Sequence, residues 1–392
     1  MPEEQVEKSI AARIDDIREI QESTENRRRW SNWERVAGLP GIFTRYIPHD
    51  DLISTPVIVD LDREMWAHVL GFDLTKVYSK PLSYLEFELS KKVYAYEHFQ
   101  DDMPLSKNIT MWFGVGFVES LLGLEQTPAG PTQEPWVGKG PLINEKSELR
   151  KIPLSSMKCT AAAQRAISFS SEIKDMLGED FTLVFPEWDF GPFGTAMHIR
   201  GMENLSLDFF EDPPFVHDLF SFLTQVKKNW SHERSTFLQE PIHTLYLAND
   251  DINVPFISPR VYEEFVFPQE KEWGLFHGGI DYWHSCGRID PVLHLIKELP
   301  GLRMVHISPW TDLKKAVEIL SGTGIILEVV MNPIDDVLAA SSQEIQDKLK
   351  HVRDLCAHVP FILRADAFQV YSKPEQDLEK IRLWIKAARS VL

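Results

Sequence analysis

From residue 55 onward the chain repeats one pattern, a short apolar run that ends in polar residues. The runs are TPVIVD (55–60), NITMWFG (108–114), FTLVFPEWD (181–189), IHTLYLANDD (242–251), GGIDYWHSC (278–286), LRMVHIS (302–308), GIILEVVMN (324–332) and VPFILRAD (359–366). Runs of this length, rich in β-branched and aromatic residues, predict buried strands. Between most of them lie amphipathic helical patterns, including SPRVYEEFVFPQEKEW, IDPVLHLIKEL, TDLKKAVEILS, SSQEIQDKLKHVRDLC and PEQDLEKIRLWIKAARSVL. Strand alternating with helix implies parallel pairing, and eight such units predict an α/β fold of the closed (β/α)8 TIM-barrel type.

The alternation is regular in the later half and irregular in the earlier one. The segment TPAGPTQEPWVGKGP (127–141) is expected to pass over the barrel mouth. The first fifty residues read as helix followed by a loop broken by glycines and prolines. The predicted organisation is therefore an N-terminal helical extension and loop over 1–50 and a barrel over 51–392.

Composition narrows the function classes. Lys+Arg 41 against Asp+Glu 59 gives a net charge of -18, which repels phosphate backbones and anionic membranes. Nucleic acid and membrane partners are not expected. The N-terminus lacks the apolar core of a signal peptide and no stretch approaches a membrane span, so a cytoplasmic protein is expected. Cys159, Cys286 and Cys356 are too few for a disulfide framework. Cys159 and Cys356 fall in helical patterns and read as small core residues.

In (β/α) barrels the active site forms at the C-terminal ends of the strands. The residues that end the apolar runs are Glu187 and Asp189, Asn249 to Asp251, His284 and Cys286, His306, Glu328 and Asp366. Acids at such positions also cap helices, and Asp312 before LKKAVEIL reads as first-turn helix chemistry. His284 and Cys286 stand two apart on one strand and so project to the same side. Imidazole plus thiolate suits zinc, whose catalytic sites use three protein ligands. For the third, the strand ends offer Asp366, Glu328 and Asp250 or Asp251, while Cys356 sits in a helical pattern.

LANDDINVPFISPRVYEEFVFPQEKEW, YWHSCGRIDPVLHLIKELPGLRMVHIS and VVMNPIDDVL resemble the uroporphyrinogen decarboxylase superfamily, in particular its zinc-containing branch of corrinoid-dependent methyltransferases. MHIRGMENLSLDFFEDPPFVHDLFSFL is similar to the same superfamily, so the resemblance covers roughly residues 180–392. It implies a (β/α)8 barrel, zinc held by the H-x-C pair His284 and Cys286, and a third ligand after the last strand. The branch carries a cysteine there. This chain carries Asp366, to which the role is transferred, with Glu328 and Cys356 as alternatives.

The resemblance further implies methyl transfer from a small O-methyl substrate to the cobalt of a corrinoid. No D-x-H-x-x-G signature is present, so the corrinoid is expected on a separate protein. A carboxylate ligand leaves zinc a stronger Lewis acid than a thiolate would, which favours demethylation of an oxygen over delivery of a thiolate. Trp188, Phe190, Tyr282, Trp283 and Trp310 would suit a methoxyaromatic ring. His306, Asp250 or Asp251 would protonate the leaving oxygen or orient a zinc ligand. A homo-oligomer is compatible with the sequence.

The alternative is a metal-free, decarboxylase-like lyase acting on a tetrapyrrole. Its N-terminal arginine-rich signature has only the Arg45 and Tyr46 pair to match it.

Overall fold

A computed structural model describes residues 3–34, 47–48, 54–152, 156–188 and 190–392. Asp189, Arg45 and Tyr46 lie outside the described residues. All eight runs contain a strand: β1 Val57–Leu61, β2 Asn108–Thr110, β3 Thr182–Val184, β4 Leu245–Ala248, β5 Ile280–His284, β6 Met304–Ile307, β7 Ile326–Met331 and β8 Phe361–Phe368. Six of them form one parallel sheet in the order β1-β8-β7-β6-β5-β4, and β2 and β3 form a separate parallel pair. A single bridge between Phe190 and Ala248 ties the chain after β3 to β4. Among the described residues the ladder thus runs through six strands, where the sequence predicts a ring of eight.

Both interruptions have a local cause. Beside β1, the backbone N–H groups of Val57 and Val59 are taken by the carboxylates of Asp102 (3.0 Å) and Asp101 (3.1 Å). Side chains there occupy donors that a neighbouring strand would otherwise use. After β3, Pro186 has no N–H to offer a ladder. The buried Arg234 caps the carbonyls of Phe185 and Pro186 at 2.9 and 3.2 Å.

The interior of the sheet is layered because successive side chains alternate between faces. Ile58, Tyr246, Tyr282, Met304, Ile326 and Ile362 form one buried cluster inside it with Trp33. Two residues further along, the same strands present Asp60, Ala248, His284, His306, Glu328 and Arg364. An apolar floor therefore carries a polar layer on the mouth side.

The N-terminal helix Glu3–Glu22 buries Val6, Ile10, Ile14 and Ile17, the stripe its periodicity predicts, and lies against the helix Pro81–His98. These residues belong to the main core. The next helix, Thr24–Trp30, is capped by Ser23 and leads to Trp33, whose indole N–H donates to Asp102 O at 3.0 Å.

Helix capping follows the sequence closely in the second half. Asp312 accepts from Lys315 N at 3.2 Å, and Ser341 with Glu344 forms a capping box. Cys159 departs from its expected core position. It is exposed, in a short 3-10 turn just before the helix that Thr160 caps. Among the described residues no helix is long and apolar enough to cross a membrane.

Candidate active site

Glu328 on β7 and Arg364 on β8 are both fully enclosed, with Nη1 donating to Oε1 at 3.0 Å. Burial alone would raise the Glu328 carboxyl, but Arg364, helped by His306, holds it well below the ordinary carboxylate range. It is an anion in the interior of the curled sheet. Such a pair is costly to break, about 3–5 kcal/mol when one partner is removed, because the other charge is left unpaired.

Tyr282 on β5 connects this anion to the predicted clip. Burial raises its phenol well above the ordinary value, so the hydroxyl keeps its proton and donates it to Glu328 Oε2 in a very close contact. Its oxygen then accepts. His284 Nδ1 and His306 Nδ1 each lie 3.1 Å from it, and His306 Nδ1 is also 2.9 Å from Glu328 Oε2. The network assigns the Nδ1 proton to both imidazoles. Burial lowers the His306 pKa, with the neighbouring His284 acting in the same direction.

With Nδ1 committed, Nε2 of His284 faces the mouth. It stands 2.9 Å from Asp250 Oδ1 and 3.4 Å from Cys286 Sγ. Burial pushes the Cys286 thiol up, so it keeps its proton, and Asp250, against its own burial, is held below the ordinary carboxylate range chiefly by His284, with the Cys286 thiol also donating to it. Burial opposes a charge on His284, yet Asp250 outweighs it and raises the imidazole pKa well above the usual range.

The ligand atoms of Asp250, His284 and Cys286 lie within 4.8 Å of one another, and so do those of His284, His306 and Glu328. The first group borders solvent; the second is buried. Ser285 Oγ bonded to Ile252 O (2.7 Å) and Ser308 Oγ bonded to Gly287 O (2.6 Å) hold the loop that carries Cys286.

The remaining predicted residues separate clearly. Asp366, half-buried within β8, is paired with Arg364 Nε at 2.9 Å and is not part of either grouping. Asp251 lies against the helix Pro192–Arg200, where a Cβ on Gly194 would come within 2.7 Å of its Oδ2. Gly191 is equally constrained, since a Cβ there would meet Asn249 Oδ1 at 1.7 Å.

Tyr282 serves the polar network, and Trp283 points outward and donates to Glu270 at 3.0 Å. Trp188 is fully enclosed, Phe190 is buried, and Trp310 is exposed on the loop after β6. Glu187 is bound by Lys227 (3.2 Å) and Arg234 (3.5 Å). Cys356 is buried at the end of the helix Ser342–Leu355, and burial pushes its thiol up to about 12.

Sequence reasoning missed one pair at the mouth. His198 Nδ1 donates to Glu119 Oε1 at 2.7 Å, and the two residues are 79 positions apart. No local pattern links FVESL to MHIRG; only the stacking of the segments after β2 and β3 brings them together.

A six-stranded parallel, curled sheet and a carboxylate–histidine–thiol group at its strand ends define an α/β protein with a half-barrel sheet and a candidate metal centre. No protein-family model matches the chain, and no curated protein matches it in sequence. Among solved structures it is similar to a methyltransferase from Methanosarcina mazei, with a TM-score of 0.62 and 13% identity over 86% of this chain and 94% of that chain. At that identity the likeness establishes the shared fold.

Proposed function

We propose that the chain is a zinc-dependent methyltransferase that takes a methyl group from a small O-methyl compound, with the cobalt of a corrinoid on a separate protein as acceptor. In this reading the eight strands act as one (β/α)8 barrel and the chemistry sits at its mouth. The observation that carries it is the grouping of His284 Nε2, Asp250 Oδ1 and Cys286 Sγ within 4.8 Å of one another, while His284 Nδ1 is held from behind by Tyr282. Nitrogen, sulfur and carboxylate oxygen form a donor set suited to zinc. The fold shared with a methyltransferase supports the same reading.

His284, Cys286 and Asp250 would hold the metal, and Asp366 is the next carboxylate available to it. Zinc bound there supplies a Lewis acid that stabilises negative charge on a departing alkoxide or phenoxide. The chain's own contribution is preorganisation. Arg364 keeps Glu328 ionised, Glu328 accepts the hydrogen bond of the Tyr282 hydroxyl, and Tyr282 in turn fixes the tautomer and ring plane of His284. The buried layer of Trp33, Ile58, Tyr246, Met304, Ile326 and Ile362 underlies this network.

Metal analysis of the wild type beside His284→Ala, followed by methylation of reduced cobalamin with a panel of methyl ethers, tests the proposal. The expected result is about one zinc per chain that disappears in the variant, together with methylcobalamin formed by the wild type only. Absence of zinc from both proteins would remove this reading and leave the metal-free lyase as the better one.

A further inference from the structure

The pair missed by sequence lies beside the segment that carries Asp250 and Asp251. Glu119 belongs to the short helix Phe117–Leu121 and has no exposed surface. One of its oxygens accepts from His198 Nδ1, and the other is buried without a hydrogen-bond partner. A carboxylate so placed fixes the imidazole tautomer and leaves Nε2 as the outward nitrogen.

The His198 ring keeps 16% of its side-chain surface open and packs edge-on against Phe190, with centroids 6.1 Å apart. It lies one turn beyond Gly194 on the same face of the helix Pro192–Arg200, the face that Asp251 approaches. The titratable groups acting on it are Glu119, Asp251 and Asp250. Burial alone would discharge the ring; the three carboxylates, Glu119 foremost, outweigh it and raise its pKa. A cationic acid thus stands beside the segment that also carries Asp250.

We propose that His198 is the proton donor to the leaving oxygen, with Glu119 as its positioning residue, an assignment that rests on the methyl-transfer reading above. The substrate C–O bond breaks with both electrons going to oxygen, and the methyl group is taken by the reduced cobalt of the corrinoid. The oxygen accepts the proton from His198 Nε2, so that a neutral alcohol or phenol departs. Neutral imidazole remains hydrogen-bonded to Glu119 and regains its proton from solvent.

The test compares single-turnover methylation of reduced cobalamin from anisole and from 4-nitroanisole in the wild type, His198→Gln, His198→Asn and Glu119→Gln, with zinc content and melting temperature measured on each. A phenoxide carrying a nitro group leaves without help, whereas plain phenoxide needs the proton. Both His198 variants should therefore lose about 10²- to 10⁴-fold with anisole. They should lose less than about tenfold with nitroanisole, at unchanged zinc content.

Glu119→Gln removes the charge that keeps the ring protonated. The pH at which the anisole rate falls should move downward in that variant, while the nitroanisole rate holds. Equal losses with both donors, or an unmoved pH profile in Glu119→Gln, would overturn the proton transfer and leave methyl transfer standing. A wild type that methylates cobalamin from neither ether overturns the methyl-transfer reading, and this step falls with it.

Discussion

Strands β5 to β8 and strands β1 to β3 build one wall by different means. In the first group each strand bonds its neighbour, and four consecutive strands deliver His284, His306, Glu328 and Arg364 to one level. In the second group β2 and β3 pair only with each other, and side chains take over at the free edge of β1, where Asp101 and Asp102 accept, and at the end of β3, where Arg234 donates. A backbone ladder needs only apolar residues of the right period. Its replacement by side chains needs particular charges in particular places, so the two regions should fail in different ways when altered.

The largest effect belongs to the regular side. His284→Ala should abolish zinc binding and reduce methyl transfer by at least about a thousandfold, read by metal analysis and cobalamin spectroscopy. Activity within tenfold of wild type would separate the clip from the chemistry. Next comes Arg364→Met, which strands the Glu328 carboxylate in the interior and should cost about 3–5 kcal/mol in urea unfolding. A loss below about 1 kcal/mol would mean that Glu328 is not ionised.

Tyr282→Phe removes the hydroxyl between Glu328 and His284 while keeping the ring. Zinc affinity in a chelator competition should drop by about 10- to 100-fold with the fold intact. An unchanged affinity would show that the tautomer is set by other means.

On the irregular side the expected effects are smaller and depend on acidity. Near the β3 end, burial works to raise Glu187, but Lys227 and Arg234 hold it down to about 2; burial, with Lys227, pushes His277 down to about 3. The unfolded chain binds a proton at His277 below about 6.5 and at Glu187 below about 4.5, while the folded chain resists both. Stability should therefore be complete above that window and decline as pH falls through it. Melting curves from pH 8 to 4 should slope less between pH 6.5 and 5 in His277→Gln than in the wild type; parallel curves would exclude His277 as the source. Smallest of all, Trp310→Ala on the exposed loop should change stability by no more than about 0.5 kcal/mol. A large loss of methyl transfer in that variant would restore its predicted contact with substrate.

How much was legible in sequence follows the same division. The eight runs each contain a strand, and Asp312 and Ser341 cap helices where local pattern places them. His284 and Cys286 were visible because a strand with period two brings them together without help from the rest of the fold. Asp250 as their neighbour was one of several acids at strand ends, and only the register of β4 beside β5 separates it from Asp366. Tyr282 looked like an aromatic wall because its sequence says nothing about the carboxylate two strands away. The breaks beside β1 and after β3 were hidden for the same reason: Arg234 reaches 48 residues back to Pro186.

Trp33 joins Ile58, Tyr246, Tyr282, Met304, Ile326 and Ile362 in the buried layer one step below the charged level. The segment ahead of the first strand thus supplies a plug to the interior of the sheet. A chain shortened past that tryptophan would have to fill the space with water or collapse onto it.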